Sequence, residues 1–389
     1  MKVLEIETFG RGGLCHYVFN LAGALAARGH QVDLLTVTDW ELRDQLRPPG
    51  LTIHQKLARA GQDAGRRRSR LGAVMARKFD VLRAVRDTLR IAKALEPDVI
   101  HLHEASGSAV LYLAALKRLG IPLVATVHNV TPHEPVPLQQ ALSRRIHALP
   151  DLLIAHSRVD QKRLQQEFGV PTERCCVIPH GDYGFFSRVE AAEDPRRARG
   201  ALGVEADAPT ALFFGYLRHY KGLDLLLDAW PGIQAQQPAA RLLIAGDPVR
   251  LSATERQALA ERAETLGAIC LFDYVPFEEV ADWFAAADLL VLPYRHISQS
   301  GVLYLALALG VPVVATEVGA WPEMLENGVN ALLVPPEDEA ALTAAVVRAL
   351  DDPSLRERLA AGGKALAAAH AWPVVAEKTE RAFQALLEC

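Results

Sequence analysis

Cysteine is scarce and poorly placed for pairing. The five residues, Cys15, Cys175, Cys176, Cys270 and Cys389, are odd in number and include no C-x-x-C pair. That excludes a disulfide framework and points to reduced thiols in a cytosolic protein. Long apolar runs are missing too. The longest candidate, Val302 to Thr316, contains Gly310 and Pro312 and falls short of the ~18 residues of a membrane span. The opening MKVLEIETFG carries Glu5 and Glu7, which argues against a signal peptide. No Walker A sequence and no G-x-G-x-x-G occurs, so the usual dinucleotide and P-loop fingerprints are absent. A strong charge of one sign is lacking as well. The chain has 42 Lys+Arg against 46 Asp+Glu, a net −4, which implies no global pull toward nucleic acid. No fixed-period repeat appears, so a solenoid is excluded.

What is present is apolar residue in quantity. Half of the 389 residues are hydrophobic, enough for sizeable cores, and the length predicts two or three domains. Val3 to Glu7 reads as a strand leading into Gly10-Arg11-Gly12-Gly13, then a helix to about Arg28 and a second strand, Val32 to Val37. A long helix is predicted over about Leu71 to Leu95, ended by Pro97. Val99 to His103, Leu123 to Val127, Leu152 to Ala155 and Cys176 to Ile178 read as further strands. Repeated β-α units of this kind predict a parallel sheet covered on both faces. The polar segment Ser187 to Ala208 reads as a linker, after which the pattern restarts with Ala211 to Phe214. Leu242 to Ala245, Cys270 to Phe272, Leu289 to Leu292, Val311 to Ala315 and Ala331 to Val334 continue it.

One stretch organises the second half, His296 to Met324. It follows a strand, opens with Ser298, Ser300 and Gly301, and runs apolar to Leu309 before Gly310 and Pro312 stop it. The free N–H groups at Ser300, Gly301 and Val302 would face the loop at the positive end of a helix, an arrangement suited to a phosphate. By itself the stretch fits an ordinary crossover helix equally well. Two cations, Arg218 and Lys221, lie beside the Gly215 and Gly222 turn and would complete a diphosphate clamp, Arg as a fork and Lys as a point charge. From spacing alone they also read as two solvated surface charges.

Read together, the segments GRGGLCHYVFNLAGALAARGHQVDLLT, ATVHN, HSRVDQKRL, VIPHGDYGFF, FFGYLRHYKGLDLLLDAW, LLIAGD, VPFEEVADWFAAADLLVLPY and SGVLYLALALGVPVVATEVGAWPEML resemble, in order, the GT-B glycosyltransferases of family 4. The resemblance covers most of the chain. It implies an α/β chain of two Rossmann-like domains with parallel sheets facing a central cleft. Residues 1–187 would form the acceptor domain and 188–372 the nucleotide-sugar domain, with the helix 373–389 packing back toward the first. It implies a metal-independent transferase that moves a hexose from a UDP- or GDP-linked donor to a glycan or lipid-linked acceptor. The donor is then a substrate and no cofactor is required. Carried over by position, Gly12 and Gly13 would lie near the sugar phosphates and His128 would contact the donor sugar. Arg218 and Lys221 would bind the diphosphate, Ser300, Gly301 and Val302 would bind phosphate through the backbone, and Tyr274 and Val275 would lie beside the base.

The chain departs from the family in one respect. Many members carry two glutamates eight positions apart around the helix after Ser300; those positions here are Ile297 and Leu305, so the usual ribose-holding carboxylate is missing. His101 and His103 share a strand face and could form half a metal site or a polar lining; without H-E-x-x-H or a cysteine partner the lining is preferred, and no metal is expected. His133 and Glu134 read either as an acid/base pair on the acceptor side or as loop polarity. Between Lys56 and Lys93 twelve Lys/Arg face three acids, Asp63, Asp80 and Asp87. That basic region predicts docking on an anionic surface, hence a cytoplasmic protein held peripherally on the inner face of a membrane. A nucleotide-sugar epimerase and a non-catalytic nucleotide-sugar-binding protein remain as alternatives to transfer.

Overall fold

The computed structural model describes residues 1–42, 48–58, 70–103, 107–131, 139–188, 194–249 and 251–388, the side chains at 70–77 and 187–188 excepted. The chain forms two compact units, Met1–Gly181 with Trp372–Cys389, and Asp182–Ala371.

In the first unit the strands are β1 (Lys2–Ile6), β2 (Gln31–Val37), β3 (Leu51–Leu57), β4 (Val99–Leu102), β5 (Leu123–Val127), β6 (Leu152–Ala155) and β7 (Cys175–Val177). The helices are α1 (Gly12–Ala27), α2 (Arg70–Leu95), α3 (Ala109–Leu116), α4 (Gln139–Ala148), α5 (Arg158–Phe168) and the C-terminal α13 (Trp372–Leu387). The sheet is parallel throughout, in the order β3-β2-β1-β4-β5-β6-β7. All five residues of β5 are buried, as expected of a strand covered on both faces. Helix α5 shows how local chemistry sets an end. The Ser157 hydroxyl accepts from the Asp160 amide at 3.0 Å to cap its start, and Gly169 closes it in the left-handed conformation. Strand β3 is not evident in the sequence, because its LTIHQKL alternates poorly and lies at the sheet edge.

The second unit carries β8 (Thr210–Phe214), β9 (Arg241–Ala245), β10 (Ile269–Leu271), β11 (Leu289–Leu292), β12 (Val313–Thr316) and β13 (Leu332–Val334). They form a second parallel sheet in the order β10-β9-β8-β11-β12-β13. Its helices are α6 (Pro195–Leu202), α7 (Leu223–Gln236), α8 (Ala253–Thr265), α9 (Phe277–Ala285), α10 (Gly301–Leu309), α11 (Glu339–Asp351) and α12 (Pro353–Ala369). The supposed linker is partly structural. Asp194 caps α6, accepting from the amides of Arg196 and Arg197 at 3.0 and 3.1 Å. Arg199 is buried, its guanidinium donating to the carbonyls of Ala286 and Ala206 and to the Asp288 carboxylate at 3.1, 2.6 and 2.8 Å. A buried arginine held by three hydrogen bonds makes a packed helix of a segment that looks solvated in sequence. Among the described residues no helix is long and apolar enough to cross a membrane.

Candidate functional site

Each sheet reverses its strand order once, between β1 and β4 in the first unit and between β8 and β11 in the second. Loops leaving the carboxyl ends of strands at such a point open a crevice where ligands bind. In the second unit the two loops concerned are Gly215–Gly222, after β8, and Pro293–Ser300, after β11.

These loops are held against each other. A Cβ at Gly222, whose φ is +67°, would stand 1.9 Å from the Pro293 carbonyl oxygen, so only glycine fits. Arg295 fixes the same contact from the β11 side. Its backbone amide donates to the Tyr220 carbonyl and its guanidinium to the His219 carbonyl, both at 2.8 Å. The guanidinium also grips Asp224 through two bonds of 2.8 and 2.9 Å and reaches Glu337. Arg295 is thus committed to building the loop, and Lys221 is what the loop presents. Lys221 is buried, its ammonium 5.1 Å from the centroid of the Tyr294 ring. Burial pulls its pKa down, with the Tyr220 hydroxyl opposing and the Arg218 charge adding to the fall. Among the described residues no carboxylate pairs with Lys221, and a buried cation without an acid suits an incoming anion. Arg218 is half-buried, 5.9 Å over the Tyr216 ring.

Gly215 links this cation to the helix start. A Cβ there would lie 2.9 Å from the Lys221 Nζ and 3.0 Å from the Val302 methyl, so the ammonium and the first turn of α10 flank one point. Helix α10 begins at Gly301 with Ser300 as its extended N-cap, and its first amides have no acceptor within the helix. Ile297 and Leu305, at the two glutamate positions, are buried in the apolar core. Glu317 and Glu326 are exposed. Val275 is buried and Tyr274 precedes it in the loop between β10 and α9.

In the first unit the glycine loop after β1 is organised by acids. Glu7 accepts from the amides of Phe9 and Gly10 and from the Thr36 hydroxyl, and Glu41 accepts from the Gly12 amide at 2.8 Å. Gly13 follows in the first turn of α1. Beside this loop lies a feature that reading the histidines one at a time misses. His103, His128 and His156 directly follow β4, β5 and β6, and His180 lies three residues after β7. Parallel strands bring their carboxyl ends to one edge, and the four imidazoles gather around Tyr17 of α1, their ring centroids 4.8 to 5.6 Å from its own. Trp372 of α13 stacks edge-on to the same tyrosine at 5.2 Å. A histidine directly after an apolar strand run, as in IHLH, TVH and LLIAH, is the sequence signal that would have found this cluster.

The cluster rests on a hydrogen-bonded base. Glu5 and His101 are register partners on β1 and β4. The Glu5 carboxylate accepts from His101 Nδ1 at 3.0 Å and from His103 Nε2 at 2.6 Å, and His101 Nε2 meets the Thr126 hydroxyl at 2.7 Å. Two ligands of a tetrahedral zinc ion stand about 3.3 Å apart. At 2.6 Å Glu5 and His103 share a proton instead, and would have to separate to hold an ion. Burial alone would raise the Glu5 pKa; the charges and hydrogen bonds of His101 and His103 outweigh it and hold the carboxyl at about 2. Burial, helped by the His101 charge and opposed by Glu5, pushes His103 down to about 4. His128 reaches solvent over part of its surface, yet its ring is enclosed. Burial and the neighbouring His156, His103, His180 and His101 all press its pKa well below the ordinary value, so it is neutral. His133 and Glu134 lie outside the described residues.

The comparisons with known proteins bear on both units. The family description Glycosyltransferase Family 4 matches residues 11–181, and Glycosyl transferases group 1 matches 208–352. D-inositol 3-phosphate glycosyltransferases from Acidothermus cellulolyticus and Frankia alni are each 31% identical to this chain. The alignments cover 95% and 96% of it and 85% and 94% of the relatives. The chain belongs to the family 4 glycosyltransferases. Solved structures agree in fold. Sucrose-phosphate synthase from Thermosynechococcus elongatus superposes with a TM-score of 0.77 at 23% identity, covering 100% of this chain and 99% of that one. Anabaena HepE in complex with UDP-glucose gives 0.77 at 20% identity, covering 99% and 100%. The two parallel-sheet units are those of a GT-B glycosyltransferase. As a family 4 enzyme the chain is a transferase that uses a nucleotide-sugar donor, which leaves the epimerase reading without support. Within the second unit the structure brings together Lys221, the Arg218 loop and the α10 start; within the first, Gly12 and Gly13 open α1, whose Tyr17 lies against His128 and its neighbouring histidines.

Proposed function

We propose that this glycosyltransferase takes a UDP- or GDP-linked hexose. In this reading the diphosphate lies on Lys221, Arg218 and the amides of Ser300, Gly301 and Val302, with the base beside Tyr274 and Val275. The single observation that carries it is Lys221, a buried ammonium without a carboxylate partner among the described residues, beside a helix start. Breaking the sugar–phosphate bond leaves negative charge on the departing diphosphate, and a fixed cation and oriented amides stabilise that charge as it develops. From the first unit, His128 supplies the contact to the transferred sugar, and Gly12 and Gly13 admit the phosphates. No metal is required, since the clamp supplies the positive charge. Incubation with a mixture of nucleotide-sugars tests it, with nucleotide release that depends on added acceptor as the expected result. An isomerised donor or no turnover would reject transfer.

The acceptor we propose is anionic. The relatives named above act, by their printed name, on D-inositol 3-phosphate, which favours a phosphorylated polyol; a lipid-linked glycan intermediate is the alternative. Helix α2 favours the lipid. Phe79 and Leu82 are 69% and 58% exposed, beside the exposed Arg83, Arg86 and Arg90 around Asp87. An apolar and basic face of that kind suits an anionic leaflet, each cation contributing about 1 kcal/mol. Sedimentation with anionic and with neutral liposomes decides. Equal pelleting with both would remove the membrane and leave the soluble acceptor.

A further inference from the structure

The hydrogen bonds around His128 fix more than its position. His156 Nδ1 lies 3.0 Å from the Ile178 carbonyl oxygen. A carbonyl only accepts, so Nδ1 of His156 carries a proton and donates it. In a neutral imidazole the other nitrogen then holds a lone pair. That nitrogen, His156 Nε2, lies 3.3 Å from His128 Nδ1. With His156 neutral, His128 Nδ1 carries the proton between them, which leaves His128 Nε2 as a bare lone pair. His128 Nε2 is buried and has no hydrogen-bond partner. The chain of donors runs from His128 through His156 to the backbone carbonyl after β7, entirely within the first unit.

We infer that His156 is a positioning residue which selects the Nδ1–H tautomer of His128, so that His128 presents Nε2 as a hydrogen-bond acceptor. If His128 meets the transferred sugar, as proposed above and on which the functional half of this inference rests, the partner is then a sugar hydroxyl acting as donor. An imidazole N–H at that place would require an acceptor oxygen instead. The sequence context agrees. Histidine at 156 directly follows the last residue of β6, and Ile178 directly follows the last of β7, so the two neighbouring strands present side chain and carbonyl in register.

The experiment is nitrogen NMR on the full chain labelled with 15N-histidine, at neutral pH. His128 is assigned by the signals lost in His128→Gln. The wild type should show a protonated Nδ1 and an unprotonated Nε2 at His128; a protonated Nε2 overturns the inference without any need for a variant at 156. His156→Gln can donate to Ile178 and accept from His128 through one amide, so it should keep the tautomer and the turnover. His156→Phe can do neither, so Nε2–H should appear at His128. kcat should fall about tenfold, the worth of one neutral hydrogen bond, with the affinity for free nucleotide unchanged. An unchanged His128 tautomer in His156→Phe overturns the role of His156. A changed tautomer with unchanged turnover upholds that role and rejects the sugar contact of His128, so the two claims fail separately.

Discussion

Lys221→Met separates a structural lysine from a binding one. The substitution keeps the length of the side chain and removes the charge. The ammonium is buried against the Tyr294 ring, and among the described residues it has no carboxylate partner. A desolvated cation–π contact returns about 2 kcal/mol, which is less than the several kcal/mol that burying an ammonium costs. Methionine suffers no such desolvation and packs well on an aromatic ring. The variant should therefore be as stable as the wild type or more stable by about 1–2 kcal/mol. For a domain of this size that is a rise of a few degrees at most. Binding should move the other way. Losing a charge-assisted hydrogen bond to a phosphate costs about 1.5–3 kcal/mol, or about ten- to a hundredfold in Kd for the nucleoside diphosphate. The assay is a thermal melt with and without UDP or GDP, since a ligand raises Tm by mass action. The expected result is a higher baseline Tm and a much smaller ligand shift. A lower baseline with an undiminished ligand shift would show that Lys221 only holds the loop, and the reasoning would fail.

Acid should destabilise the first unit in two stages. His103, at about 4 when folded against 6.5 when free, leaves the unfolded chain to take up the proton as pH falls between those values. Stability should drop over that window by up to about 3 kcal/mol from this residue, with His128 contributing in the same direction. Glu5, at about 2 against 4.5, adds a second loss below pH 4.5. Urea midpoints from pH 7.5 to 5 measure the first stage, and a flat profile would contradict it. Arg295→Met should lower stability by about 1–2 kcal/mol through the lost Asp224 contact and weaken nucleotide binding through the loosened loop; a variant with normal affinity would show that Lys221 is placed without it. A 2′-deoxyribonucleotide donor should lose less than about tenfold in kcat/KM, because Leu305 offers no hydrogen bond and neutral contacts are worth about 0.5–1.5 kcal/mol. A hundredfold penalty would instead point to another carboxylate, with Glu317 and Glu326 the first to replace.

Much of the fold is legible in the chain because parallel strands buried on both faces are written as continuous apolar runs. LVATV, LLIA and LLVL fall on β5, β6 and β11 residue for residue. The α10 start was readable from Ser300, Gly301 and the apolar run to Leu309. What stayed hidden depends on contacts distant in sequence. Arg199 looks solvated until its partners at Ala286 and Asp288 are known. Arg295 stands apart from the Gly215 turn in the chain, and only the packing of the two loops reveals it as the residue that shapes the lysine's surroundings. The histidine cluster illustrates the same limit. Each strand-end histidine is unremarkable alone, and the order β4-β5-β6-β7 is what places the four side by side around Tyr17.

The most direct measurement is a crystal structure of the chain with a bound nucleoside diphosphate. The account predicts the diphosphate within hydrogen-bond reach, about 2.7–3.2 Å, of Lys221 Nζ and of the backbone amides at the start of α10. A diphosphate seated elsewhere, with Lys221 still lying on the Tyr294 ring and the α10 amides facing water, would contradict it.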